Sequence, residues 1–330
     1  MPPRRRPFVP EPRPLVSVVI VSYNTRSMTL DCLRALYASL GDLPAEVWVV
    51  DNASTDGSAQ AVREAFPQAC VVANTDNKGF GAANNQALKQ ARGEFLMLLN
   101  TDAFAQPDTV ERLVAYLQLH PRAAIVGPRL LNKDGSVQQS CYRYPSPGRA
   151  WLENMGVSAL LARHPQWGDY KAWPHDREQT VDWVIGACLL LRRAAYDEVG
   201  GFDETYFMYA EETDWQRRFR DKGWDIAFTP SATVTHLGGA SGASEVVRVN
   251  AHFFDSLDYY TRKHHGLGGL ILLRGAMVVG CGLRALVWSL VALAVPSRRT
   301  TARAKARFQA WLFRRQATHW RGLRPSLEAL

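Results

Sequence analysis

The chain has 330 residues, 47% hydrophobic and 21% charged, with a net charge of +8. That length accommodates one large α/β domain with an appendage, or two ordinary domains, and the composition excludes wholesale disorder. Five cysteines, odd in number and scattered with no C-x-x-C pair, argue against a disulfide framework or structural zinc and suit a reducing compartment.

Residues 1–14 read as a flexible Pro/Arg-rich arm. The arm lacks the apolar core of a secretory signal, so the catalytic part is expected in the cytosol. LVSVVIVSYN, residues 15–24, is a near-continuous β-branched run, as a strand buried on both faces requires. Leu33, Leu36, Tyr37 and Leu40 then follow helical spacing. AEVWVVDN (45–52) reads as a second buried strand, with Ser54 or Asp56 placed to cap the next helix. ACVVAN (69–74) is a third strand, GFGAANNQALKQA a turn into a helix, and EFLMLLNTD (94–102) a fourth strand. Pro107 marks a helix start, with that helix running to about His120. This alternation predicts an α/β fold: a doubly wound, mostly parallel sheet whose ligands bind beyond the carboxyl ends of the strands. Ser22, Tyr23, Asn24, Asp51, Asn52, Asn100, Thr101 and Asp102 all fall at those ends.

The second half is less regular. AAIVGP (123–128) is a short strand and VDWVIGACLLLRR (181–193) a long one centred on Gly186. Residues 210–224 form an amphipathic helix with Trp215 and Phe219 inward. Residues 137–180 are a long excursion of the kind that covers a site. From Gly266 to Pro296 the chain is apolar, interrupted by Arg274 and Arg284. Helix-centre arginines cost about 2.5–3.5 kcal/mol each on insertion scales, and neither half reaches the roughly 20 residues of a span. One or two helices lying in a membrane interface are expected, with the arginines reaching for lipid phosphates; a true span and an ordinary helix pair are the alternatives. Residues 259–330 hold thirteen Lys or Arg against one acid, Glu328, and the rest of the chain is mildly acidic. A basic tail around an apolar segment favours an anionic membrane surface over nucleic acid.

The chemistry lies in a few motifs. An acid at a buried strand end, such as Asp102 near Asp51, is placed to hold a hard cation against phosphate oxygens, or merely to cap a helix. Three acids, Glu211, Glu212 and Asp214, open a helix, where a helix dipole favours them whatever their function. Gly186 permits close approach of a ligand to the backbone, or a bulge. Gly79-Phe80-Gly81 partly mimics a dinucleotide fingerprint, but its third glycine is Asn84 and it follows the wrong strand.

Taken together, VSVVIVSYNTRSMTLDCLRAL, VVDNASTDGS, NKGFGAANNQAL and FLMLLNTD resemble the start of the inverting family 2 glycosyltransferases, which have the GT-A fold. VIGACLLLRRAAYDEVGGFDETYFMYAEETDWQRRFRDKGW and ATVTHLGGAS continue the match, which spans about residues 15–260 and looks closest to the rhamnosyltransferase-like branch. The resemblance implies transfer of a sugar, such as rhamnose, from a nucleoside diphosphate (dTDP-, UDP- or GDP-linked) to a lipid-linked or polysaccharide acceptor, with inversion and with Mg²⁺ or Mn²⁺. It places Ser22, Tyr23, Asn24 and Asp51 at the nucleoside. Asn77, Lys78 and Gly79 would face the nucleotide, with Asn100, Thr101 and Gly186 also lining the donor site. Asp102 and His236 become metal ligands, Asn100 replacing the first acid of the family's D-x-D-like motif. Glu212 occupies the base position, with Glu211 and Asp214 as the other candidates. The implied layout is an arm at 1–14, a GT-A domain at 15–262 with a nucleotide-binding half (15–130) and an acceptor half (131–262), and membrane-associating helices at 263–330, working peripherally at the cytoplasmic face of the membrane in polysaccharide or cell-wall synthesis. The rival readings are a non-catalytic scaffold of the same fold and a nucleic-acid binder using the tail.

Overall fold

A computed structural model describes residues 13–161, 164, 170, 173–238 and 246–318. Most of the predicted N-terminal arm therefore lies outside the described residues, as does part of the 137–180 excursion. The chain runs β1 (Val16–Ser22), α1 (Arg26–Leu40), β2 (Ala45–Asp51), α2 (Ser58–Ala65), β3 (Cys70–Ala73), α3 (Phe80–Leu88), β4 (Phe95–Leu99), β5 (Ala103–Ala105), α4 (Thr109–Leu119), β6 (Ala123–Leu131) and β7 (Val137–Gln138). There follow β8 (Cys141–Tyr142), α5 (Pro147–Asn154), β9 (Gln179–Val181), β10 (Trp183–Val184), β11 (Cys188–Arg192), α6 (Arg193–Val199), α7 (Glu211–Asp221), β12 (Asp225–His236), α8 (Val246–Ala294) and α9 (Arg299–Thr318).

The large sheet has the order β3-β2-β1-β4-β11-β6-β12-β5. Its first four strands are parallel, and β11 enters antiparallel between β4 and β6. The β-branched runs are buried on both sides because side chains alternate between faces. Val16, Val18 and Ile20 join one core with Val47, Val49, Met97 and the inner face of α1. Val19, Val50, Leu96 and Leu98 join a second core on the opposite face, with Trp215 and Phe219 of α7. Sheet register pairs Ser22 with Asp51 and Val19 with Leu98, so the ends of β1, β2 and β4 share one rim.

Three expectations need correction. Residues 181–193 are not one strand: Val181 closes β9, β10 pairs with β8 in a separate small sheet, the chain breaks at Ile185–Ala187, and β11 returns to the large sheet. Helix α4 starts at Thr109 rather than Pro107, after Asp108 in left-handed backbone. The proposed domain boundary at 262/263 falls inside α8.

Helix α8 is itself divided by Gly266, whose φ of 65° is non-helical. In a straight helix Asp258 and Arg274 would stand about 24 Å apart, yet their side chains meet at 2.8 Å. The arms 246–265 and 267–294 therefore fold back on each other. Helix α9 packs against them through Leu312 beside Phe254 and Cys281, and an Arg315–Asp255 ion pair ties its end to the first arm. Helix α5 of the excursion lies along the second arm, where Gly275 faces Trp151 and Gly280 faces Asn154. Any side chain at 280 would displace Asn154. The two arginines do not reach outward as expected. Arg274 is buried against Asp258, and Arg284 donates to Asn154 Oδ1 and Gln309 Oε1. The cost of an apolar-segment arginine is met by protein partners.

Candidate active site

Asp102 follows β4 through the turn that leads into β5, and β5 lies antiparallel to β12 with Ala103 opposite His236. This pairing brings His236 Nε2 to 3.4 Å from Asp102 Oδ1. Both residues are buried, at 7% and 8% exposure. His236 Nδ1 lies 2.6 Å from Gln138 Oε1, while Gln138 Nε2 donates to Asn132 Oδ1 and to the His236 carbonyl. Gln138 thus presents an acceptor, so Nδ1 carries the hydrogen and Nε2 turns toward the carboxylate. A ring nitrogen and a carboxylate oxygen turned toward each other in a buried site suit a cation held between them. A histidine oriented through its second nitrogen is the usual support of a metal ligand. Among the described residues no group of three or more His, Cys, Asp or Glu forms a metal site, so these two donors need further oxygens from a ligand.

The residues expected around a nucleoside have differing surroundings. Asp51 is 4% exposed; its Oδ2 accepts from the Ser54 amide, and its buried Oδ1 has no partner. Tyr23 stands 44% exposed at the rim. Ser22 departs from the expectation: it is fully buried, with its hydroxyl bonded to Thr25 and Thr29, and so has no face for a nucleoside. Asn24, at φ 52°, accepts from the Thr55 amide and pins the 53–57 loop. Asn77 Oδ1 accepts from Gly79 N and from Asn52 Nδ2, so it shapes the turn. Lys78 Nζ pairs with Asp76 at 3.1 Å, and its amide donates to Asn52 Oδ1. Asn52, which also bonds Asn74, organises this corner. Gly79, at φ 82°, lies against Phe207, whose carbonyl accepts from Phe80 N. A side chain at 79 would collide with that carbonyl.

A short chain of contacts joins the Asp102 end of the rim to the acidic helix. Asn100 N donates to Ala187 O at 2.9 Å. Next to Ala187, Gly186 faces Glu212: a Cβ on the glycine would lie 3.6 Å from Glu212 Cβ and Cγ. Thr101 is buried beside Asp102. The Asn100–Asp102 turn, the Gly186–Ala187 break and the first turn of α7 therefore meet.

The three acids of that turn have separate environments. Glu211 is 4% exposed, and each of Glu211 and Glu212 has a buried Oε2 with no partner. Burial, and then the charge of Glu212, push the Glu211 carboxyl well above the usual glutamate range. Burial also raises Glu212, partly offset by backbone amides including that of Gly186. Asp214 is different. Burial would raise it, but hydrogen bonds from His264 and Lys263 and the charges of Lys263 and Arg218 hold it below the usual carboxylate range. It is fully buried and takes His264 Nε2 at 2.8 Å, Lys263 Nζ at 2.8 Å and Arg218 Nε at 3.1 Å. These donors occupy the lone pairs a base would need, which separates Asp214 from the two glutamates. Sequence reading placed Asn52 on the rim without a role and missed Gln138, Lys263 and His264. No local pattern marks any of them, because each acts on a residue at least 22 positions away.

Comparison with known proteins bears on the fold and the family. The mannosyltransferase PcManGT from Pyrobaculum calidifontis, solved with GDP-Man and Mn²⁺, superposes with a TM-score of 0.53 at 19% identity, covering 93% of this chain and 88% of that one. GalNAc-T7, solved with UDP, GalNAc and Mn²⁺, also gives 0.53, at 17% identity over 76% of this chain and 48% of that one. These likenesses show the GT-A fold. The N-acetylglucosaminyl-diphospho-decaprenol L-rhamnosyltransferase of Mycobacterium tuberculosis is 30% identical over 296 residues, 82% of this chain and 94% of that protein. The O-antigen biosynthesis protein RfbC of Myxococcus xanthus is 28% identical over 243 residues, 71% of this chain and 18% of that protein. The profile of glycosyl transferase family 2 matches residues 17–200. With a buried Asp102–His236 pair and an acidic helix meeting at one rim, and with relatives across most of its length, the chain belongs to glycosyl transferase family 2.

Proposed function

We propose that this enzyme transfers rhamnose, with inversion, from a nucleoside diphosphate to a lipid-linked sugar acceptor at the cytoplasmic surface of a membrane, in the synthesis of a surface polysaccharide. The observation that carries the proposal is the contact chain from Asn100 through Ala187 and Gly186 to Glu212, which joins the two halves of the chemistry. Asp51 Oδ1, unpartnered and buried, accepts from the base or ribose, and Tyr23 packs on the nucleoside. Asp102 and His236 hold Mg²⁺ or Mn²⁺, which when bound offsets the charge of the leaving diphosphate. Glu212 takes the proton of the acceptor hydroxyl as that oxygen bonds the anomeric carbon and the bond to diphosphate breaks. Its raised affinity for a proton and its unpartnered Oε2 suit that role. Glu211 keeps the neighbouring position protonated and spares the site a second charge.

The acceptor of the mycobacterial relative is lipid-linked by its name, and the tail here suits a lipid surface. The stretch Ala251–Ala294 is apolar enough to cross a membrane, with a mean hydropathy of 1.9 in its most apolar window, of which only 22% is buried. We infer that its second arm lies on the bilayer rather than crossing it. Leu267, Ile271, Leu283, Leu286, Leu290 and Leu293 are more than half exposed or nearly so, while the opposite side is covered by α5 and α9. A helix covered along one side by polar protein cannot be surrounded by lipid. A thermal-shift panel of UDP-, GDP- and dTDP-sugars with and without Mn²⁺ tests the donor assignment. A ligand that binds only the folded protein raises its melting point; a dTDP-sugar that shifts nothing while another nucleotide does would remove rhamnose from the proposal.

A further inference from the structure

We propose that Lys263 and His264 are positioning residues: through Asp214 they fix α7, and with it Glu211 and Glu212, to the helical hairpin that meets the lipid surface. The proposal rests on the sugar-transfer reading only for its activity readout.

Asp214 lies one turn into α7, and its own helix supplies one cation, Arg218. The other donors come from α8, two and three residues before the Gly266 break. Lys263 bridges two elements, reaching Asp203 at 2.7 Å as well as Asp214. Asp203 is held at about 2: burial opposes its charge, but hydrogen bonds from Lys263 and Thr205 outweigh burial. Tyr259 donates to the same carboxylate at 3.1 Å.

Between these anchors the backbone is strained. Tyr209 and Ala210 both have left-handed backbone, at φ 69° and 61°, immediately before Glu211. Two consecutive non-glycine residues in that region persist only where their surroundings over-determine them. The first arm of α8 supplies the constraint. Ser256 Oγ donates to Met208 O at 2.8 Å, and the ring of His252 lies tilted against Phe207, with centroids 5.1 Å apart. Positions 252, 256, 259 and 263 recur at three- and four-residue intervals, so one face of that arm grips the segment 203–214. The same segment carries Phe207, whose carbonyl holds Phe80 N at the nucleotide-side turn. One helix face therefore sets the acidic turn and braces the donor-side turn. Past Gly266 the chain continues as the exposed apolar arm.

The test uses the full-length protein with four variants: Lys263→Met, Lys263→Arg, His264→Gln and Ser256→Ala. Two readouts are needed: hydrogen exchange of the amides in 208–214, and kcat and KM with dTDP-rhamnose and N-acetylglucosaminyl-diphospho-polyprenol. In Lys263→Met, exchange in 208–214 accelerates and kcat falls about tenfold or more, since small misplacement of a reacting group is costly. The KM for donor stays within about twofold, because the donor side keeps its contacts. Lys263→Arg and His264→Gln, which keep a donor, retain most of kcat. Ser256→Ala, which removes one hydrogen bond and no charge, changes both readouts in the same direction by less, and decides the matter if Lys263→Met fails to fold. A purely structural role predicts a lower melting point with unchanged kcat per folded molecule and unchanged exchange in 208–214; that result overturns the proposal. If the wild type transfers nothing to this acceptor, the sugar-transfer reading fails, and the exchange readout still decides the clamp.

Discussion

Glu212 and Asp214 stand two residues apart on one helix, yet their surroundings predict opposite phenotypes. Glu212→Gln removes the proposed base and keeps its shape. General-base catalysis contributes about 10²–10⁴ in rate, so the barrier to transfer rises by about 3–5 kcal/mol. The fold has nothing to lose. A carboxyl whose proton affinity is raised by folding weakens the native state once pH exceeds its unfolded value, so a neutral amide there holds or raises the melting point at pH 7. Asp214→Asn acts the other way. It strips the charge from a buried carboxylate that pairs with Lys263, His264 and Arg218. Breaking such a buried pair costs about 3–5 kcal/mol, which lowers the melting point by about 4–7 °C at this chain length. Calorimetry beside a transfer assay reads both. Near-wild-type turnover by Glu212→Gln would exclude Glu212 as the base, and an Asp214→Asn protein that melts with the wild type while losing all activity would make Asp214 the base.

Three further outcomes follow from the same geometry. The pH–rate profile rises through an apparent pKa above the ordinary glutamate range, because Glu212 must lose its proton to act and burial opposes that loss; Glu211→Gln leaves the rise in place, because Glu211 is the more strongly raised of the two and carries no charge when Glu212 titrates. Gln138→Ala, which frees His236 without touching Asp102, weakens Mn²⁺-dependent nucleoside diphosphate binding about tenfold, the usual effect of losing a partner behind a metal ligand; calorimetric titration checks it. The double change Leu286→Asp and Leu290→Asp, at two half-exposed positions of the second α8 arm, lowers binding to phosphatidylglycerol vesicles at least about tenfold, since each exposed leucine contributes on the order of 1 kcal/mol on burial; sedimentation with vesicles reads it.

The parallel half of the sheet was legible because its evidence is local. Runs such as LVSVVIVSYN announce strands buried on both faces, and polar residues at their ends announce the rim. What escaped notice depends on partners distant in sequence. Arg274 and Arg284 read as charges exposed to lipid because nothing nearby shows Asp258, Asn154 and Gln309 waiting for them. Gly266 has the composition of its apolar surroundings, and only its backbone angle shows that the chain reverses there. Ser22 shares its strand end with Asp51 but faces Thr25 and Thr29 inside the fold. Gly186 reads as the middle of one strand, whereas the chain there leaves the sheet and reaches Glu212. Motif order located the rim; the orientation of each side chain on it follows from packing that the motifs do not encode.

The most direct test is transfer of labelled rhamnose from dTDP-rhamnose into the organic-soluble N-acetylglucosaminyl-diphospho-polyprenol, with Mn²⁺, with EDTA, and with the Asp102→Ala protein. Label should enter the lipid phase with Mn²⁺ and be lost in the other two cases, with the variant still folded. Undiminished transfer by Asp102→Ala, or transfer indifferent to EDTA, would contradict a cation held by Asp102 and His236 as the centre of this site.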